Sequence, residues 1–317
     1  MKKSIIATLG AATAIAVGAG LHYATASDDA PIVYFTRDIS PSGLVKAYNA
    51  LHWTPKGKVG IKMSTGESAK TNYLRPELIK ELVAKVDGTI VECNTAYGGN
   101  RSDSKSHWAA IKERGFLDVA PVDIMDEDGS MTLPVKGGNR LTENYVGTHF
   151  ANYPSYIVLS HFKGHQMAGF GGALKNISIG FASSMGKAWI HSGGTSKDNP
   201  WGGEQDAFLK SMADASKAVT DYVGRDNMVY INVLNRISID CDCNANPAEP
   251  DIHDIGILVS RDPVAVDQAG IDMVSVADGN QKLMARIADR NGLYTLETAE
   301  KIGVGSRKYK FVNLDEE

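Results

Sequence analysis

Residues 155–176 read SYIVLSHFKGHQMAGFGGALKN, and the fold class turns on them. Tyr156, Ile157, Val158 and Leu159 form an unbroken apolar run inside Ser155–Ser160. Such a run suits a strand buried on both faces. It stops at His161-Phe-Lys-Gly-His165, and Gly169, Gly171 and Gly172 follow. From Ala173 the pattern predicts a helix. A strand, a glycine-rich polar turn and a helix in that order make one unit of an α/β fold. In such folds ligands sit beyond the carboxyl ends of the strands.

The same alternation extends in both directions. Strands are expected at 31–36, 58–63, 89–93 and 122–125, then at 228–234, 255–259 and 310–312. Between them, helices are expected at 42–51, 76–86, 106–114, 205–223, 263–276, 280–290 and 295–302. Pro76 suits a first helical turn. In 205–223 the apolar positions Phe208, Met212, Ala215, Val219 and Val223 share one face. The pattern predicts a mostly parallel sheet with helices on both faces, Rossmann-like, with right-handed crossovers. Residues 192–203, rich in Gly, Ser, Asp and Pro, are the candidate boundary between two lobes.

Composition excludes several classes. The chain has 317 residues, 22% charged and 43% hydrophobic, as ordinary globular proteins do. A net charge of −4 supplies no field for nucleic acid. Three cysteines are too few for a disulfide scaffold. The start is different: Met1-Lys2-Lys3, an uncharged stretch over 4–21, then Ala24-Thr25-Ala26. This is the pattern of a cleaved export signal over 1–26, leaving 27–317 as the α/β domain. No membrane span is then expected, and the location is periplasmic or otherwise extracytoplasmic, where thiols oxidise.

Three polar loops follow strands, at 64–67, 94–101 and 161–172, and are expected to converge on one cleft. His161, Lys163 and His165 supply acid–base or ligand groups there. Gly171 and Gly172 let a ligand approach the backbone. The free amides expected at Ala173, with Lys175, Asn176 and Lys187 nearby, suit a phosphate or carboxylate. Arg101 offers a planar fork for a carboxylate, and His107 stands close to it in sequence. The expected partner is a small anionic molecule. No Walker A motif is present, and Leu174 stands where a dinucleotide loop needs its third glycine.

Residues 238–254 read SIDCDCNANPAEPDIHD. Cys241 and Cys243 admit three readings. They hold a soft metal such as zinc, iron or nickel with Asp240, Asp242 and His191. They form a disulfide. Or the carboxylates take calcium, since Asp240, Asp242, Asn244, Asn246 and Asp251 fall on EF-hand ligand spacings, although Ala245 replaces the required glycine. A solvated turn over a buried cysteine pair is the plain alternative.

Together these motifs resemble the domain-of-unknown-function 362 family. The resemblance rests on Lys163-Gly-His165, Gly169-Phe-Gly-Gly-Ala-Leu-Lys-Asn176, Gly186-Lys187…His191 and Asp240-Cys-Asp-Cys243. It continues at Asp254-Ile-Gly-Ile and Asp262-Pro-Val-Ala-Val-Asp267, with Asn94-Thr-Ala-Tyr97-Gly-Gly99…Arg101 and His107 upstream. It covers about residues 31–280. Many members carry a ferredoxin-like insert after the Gly-Lys…His stretch. Here 192–203 stands in its place without cysteines, so no iron–sulfur cluster is expected. One loop is also similar to the lactate racemase family, whose His…Gly-Gly-x-Lys loop resembles His165…Gly171-Gly172-Ala-Leu-Lys175 with a different spacing. That family uses two histidines and a nickel-bearing nicotinic-acid cofactor, which implies proton or hydride chemistry at a cleft. The expectation is an exported, metal- or cofactor-dependent enzyme of isomerase or oxidoreductase type. The alternatives are a metal- or ligand-binding protein without turnover, and a redox module built on Cys241 and Cys243.

Overall fold

Strand-forming sequence is shared out along the whole chain, and its main segments meet in a single sheet. The computed structural model describes residues 29–316; the export signal expected at 1–26 lies outside them. The strands are β1 (Ile32–Thr36), β2 (Val59–Lys62), β3 (Gly88–Glu92), β4 (Val122–Ile124), β5 (Ser130–Pro134), β6 (Glu143–Gly147), β7 (Ser155–His161), β8 (Lys163–His165), β9 (Gly169–Gly171), β10 (Met228–Leu234), β11 (Gly256–Ser260) and β12 (Lys310–Asn313). Eight of them pair in the order β12-β1-β11-β10-β7-β2-β3-β4. Only β11 runs against its neighbours, so the sheet is mostly parallel. The hairpins β5–β6 and β8–β9 stand apart from it.

Alternation along the strands sorts their side chains between two layers. Ile157, Leu159, Val229, Ile231 and Val233 pack with Leu44 and Tyr48 of helix Pro41–Ala50 and with Ile79 and Leu82 of helix Pro76–Val86. Tyr156, Val158, Met228 and Tyr230 face the other way, towards Phe208 and Met212 of helix Gln205–Val223 and Val266 of helix Pro263–Ser275. Both faces are therefore covered by helices, as a parallel sheet requires. Strands from both sides of 192–203 join this one sheet. Among the described residues no helix is long and apolar enough to cross a membrane.

Two features position the cleft. From β2 the chain adds β3 and then β4 outward on one side, and later returns to lay β7 against the other side of β2. Strand order thus reverses between β2 and β7, the place where open α/β sheets hold ligands. Second, the helix expected from Ala173 is only a turn, Ala173–Lys175, and it widens into a π-helical segment, Asn176–Gly180. The Asn176 amide donates to the carbonyls of Lys62 and Leu159 and to Ser160 Oγ. That one side chain closes the ends of β2 and β7 where the sheet can offer them no further partner.

Candidate functional site

At this switch point lies a cleft of about 640 Å³, open solvent included, with a lining drawn from the ends of β2, β3 and β7 and from three loops. Its charged side chains are Lys62, Arg101, Lys163, Lys175 and Lys187 against Glu92 and Asp242. Cys241 and Cys243 complete the wall. The three polar loops foreseen from sequence do converge here.

The cations are not equivalent. Arg101 gives Nε to Glu67 at 3.2 Å and Nη1 to Glu92 at 3.0 Å, so two carboxylates hold its fork in place. Lys163 pairs with Asp242 at 2.8 Å. Lys187 Nζ donates to the Ala182 carbonyl, and Lys62 Nζ to the Met63 carbonyl. Lys175 has no hydrogen-bond or ion-pair partner among the described residues. Burial, reinforced by Lys163, Lys187 and Arg101, pulls its ammonium down to about 7. Burial likewise pulls Lys62 to about 8, partly offset by Glu92. Burial alone would raise Asp242, but Lys163 and His161 hold it well below the ordinary range. Arg101 and His107 overcome the same effect at Glu92.

The three residues singled out for catalysis take different places. His161 Nδ1 faces Asp242 at 2.9 Å and Nε2 faces the Asn235 carbonyl at 2.7 Å. Acceptors thus engage both ring nitrogens, and the ring is held between the two. His165 lies behind the cleft wall. Its Nδ1 accepts from the amides of Met167 and Ala168, so the neutral ring carries its proton on Nε2. Burial first, then Lys175, His191 and Lys163, hold its pKa well below the usual value.

The amides expected to bind a ligand are already occupied. Asp267 accepts from Ala173 N at 2.6 Å and Leu174 N at 2.9 Å, and Asn232 holds the same carboxylate. A Cβ at Gly172 would run into Asp267 Oδ1. Gly172 therefore makes room for the protein's own carboxylate. Gly171 does face the cleft, against the Lys175 stem. Asn176 lines the cleft too, but as the clamp described above. His107 does not reach it: it is wholly buried, at 2.5 Å from Glu92 with Asn94 on its other nitrogen, and it supports Glu92 from behind.

The metal expectations fare unevenly. A ring nitrogen of His165 and the sulfurs of Cys241 and Cys243 lie within 4.8 Å of one another, a spacing compatible with a metal ion. The two sulfurs, however, are joined as a disulfide, which answers the choice left open by the sequence. In that state neither sulfur is a thiolate, and a metal on His165 Nε2 would need the tautomer that its two amide donors oppose. Zinc, iron or nickel on these three residues would therefore require the reduced pair and the other His165 tautomer. Asp240 accepts from the Ala248 amide, while His191 donates to the Lys187 carbonyl and stacks on Phe208; both stand outside the group. The calcium loop fails as well, because Asp242 is taken by His161 and Lys163 and Asp251 by Lys282. Lys62, Glu92 and Gly180 were missed. A lone Lys or Glu in a buried strand end was the available signal, since burial of either requires a reason.

Fold and site define an α/β protein with a cation-lined cleft at the switch point of a mostly parallel sheet. The chain belongs to the family described as "Domain of unknown function (DUF362)", whose match spans residues 59–272. No curated protein matches it. Among solved structures it is similar to the lactate racemase apoprotein from Thermoanaerobacterium thermosaccharolyticum, with 14% identity and a TM-score of 0.46 over 76% of this chain and 56% of that one. A Thermotoga maritima protein is similar at 14% identity and a TM-score of 0.40, over 82% and 58%. This chain thus spans less than two thirds of either.

Proposed function

We propose that this chain is an exported enzyme that binds a small anionic molecule in the cleft and uses Lys175 as its acid–base group. One observation carries the reading: Lys175 lines a cleft with five cations and two carboxylates and has no partner of its own among the described residues, and burial with the neighbouring cations pulls its pKa down to about 7. As an ammonium it attracts an anion. As an amine it removes a proton from the bound molecule and returns it, and a base tuned close to working pH does this best. Lys62 and Lys163 meet the remaining negative charge, while Glu92, His107 and Asp242 hold the surrounding cations in register. Removing and returning a proton at one site needs no second reagent, so isomerisation is the class the groups serve. The disulfide supports an extracytoplasmic location. No step is assigned to a metal.

Calorimetry with citrate and inorganic phosphate tests the binding. Affinity should fall at least tenfold in Lys175→Met and weaken with salt; an unchanged affinity in Lys175→Met overturns the reading. The acid–base part is tested by NMR in D₂O. Deuterium should enter the α-carbon of at least one small carboxylate that binds, and Lys175→Met should abolish it. Binding without exchange across a panel would make the chain a binding protein without turnover.

A further inference from the structure

The cleft wall contains a group for which the acid–base reading has no use. Cys241 and Cys243 are bonded to each other across a single residue, Asp242, whose carboxylate holds His161 and Lys163. Cys241 is buried, whereas Cys243 is partly exposed on the cleft side. A bridge over so short a loop removes little freedom from the unfolded chain, so stapling explains it poorly. Its surroundings are those of a reactive sulfur. Lys163, Lys175 and His161 stand round the same cleft, and a nitrogen of His165 lies within 4.8 Å of both sulfurs. The Met167 and Ala168 amides leave His165 with its proton on Nε2, a donor suited to a thiolate.

We propose that the Cys241–Cys243 disulfide is a redox-active pair that oxidises a small anionic thiol bound in the cleft; the choice of substrate class rests on the anion reading above. The thiolate of a first substrate molecule attacks Sγ of Cys243, the more exposed of the two cysteines. The Cys241–Cys243 bond breaks, and Cys241 leaves inward as a thiolate that accepts a hydrogen bond from His165. A second substrate thiolate attacks the substrate sulfur of the mixed disulfide. The two substrate molecules depart joined by a new disulfide, and Cys243 is freed. Two electrons pass from two substrate thiolates to the protein; the protons those thiols released to solvent on ionising balance the two that Cys241 and Cys243 take up when they protonate. The half-reaction delivers one substrate disulfide per chain. Cys93, the third thiol, takes no part: it is buried, and burial pushes it up to about 12.

The test uses full-length protein purified without reductant. It is mixed with 3-mercaptopropionate or with neutral 2-mercaptoethanol at equal thiolate concentration, quenched with iodoacetamide and read by peptide mass spectrometry. Cys241 and Cys243 should be labelled as one equivalent of substrate disulfide forms, with Cys93 unlabelled. The anionic thiol should react at least tenfold faster, and the advantage should collapse in 1 M salt and in Lys175→Met. His165→Leu should slow exchange with both thiols, and His165→Gln, which keeps a donor, should restore part of the rate. Labelling that appears only after unfolding in guanidinium overturns the proposal. Citrate binding by wild-type protein that shows no exchange overturns this inference alone and leaves the anion cleft standing. Equal rates for both thiols overturn the substrate class, and with it the role given to the lysines.

Discussion

Asp267 shows how a residue of ordinary type acquires a role through a partner far away in sequence. It lies 94 residues beyond Ala173, yet it occupies the amides that the glycine turn exposes. Its burial raises its pKa to about 6, against the pull of Asn232 and the two amides. Asp267→Ala leaves both amides unpaired in the interior and should cost about 2–4 kcal/mol in urea unfolding. A loss under 1 kcal/mol would mean that water replaces the carboxylate without penalty. Lys175→Met should act in the opposite sense. It removes a half-buried ammonium with no partner among the described residues, so the free protein should melt higher while anion affinity falls. The sequence made Gly172 legible as a point of close approach, but not what approaches it. Likewise it marked His107, His191 and Asn176 as chemically able. Whether such groups face a ligand or brace a neighbour depends on long-range packing that residue type does not encode.

Strand text was legible almost throughout: all eight members of the large sheet stand where apolar runs predicted them, within a residue or two. Both small hairpins escaped notice. Ser130–Pro134 pairs with Glu143–Gly147, where polar and apolar residues mix without a clear period of two, and three-residue strands such as Lys163–His165 have no periodicity to read. The π-helical segment was missed for another reason. Its widening follows from contacts of Asn176 and Gly180 with β2 and β7, not from helix propensity. A Cβ on Gly180 would lie 2.5 Å from Asn176 Oδ1 and 2.9 Å from Lys62 Cε. Gly180→Ala should therefore cost about 1–3 kcal/mol and weaken anion affinity with it; full affinity would show that Lys62 can shift without consequence. The disulfide should matter less to stability. Replacing Cys241 and Cys243 by serine should cost only about 1.6 kcal/mol, the loop-closure value for a three-residue ring, in guanidinium unfolding.

For the molecule as a whole, the titrating groups set a stability profile with two slopes. Lys175 and Lys62 have folded values of about 7 and 8, below those of an unfolded lysine. The unfolded chain thus binds more protons between about pH 7 and 10, and stability should rise with pH across that window. Asp262 and Asp267, raised by burial to about 6, act in the other direction. The folded chain holds more protons there, so stability should fall as pH rises from about 4 to 6. Anion affinity should decline above pH 7 as Lys175 loses its proton. Melting curves from pH 4 to 10, with and without citrate, check all three signs, and a flat alkaline limb would remove the buried lysines from the account. The five cations come from five separate segments, and nothing in the sequence gathers them except the fold itself. Two carboxylates, Glu92 and Asp242, face five cations there, so a bound anion would relieve the remaining repulsion. Growth media and buffers rich in multivalent anions should then raise the yield of soluble material and lengthen its shelf life.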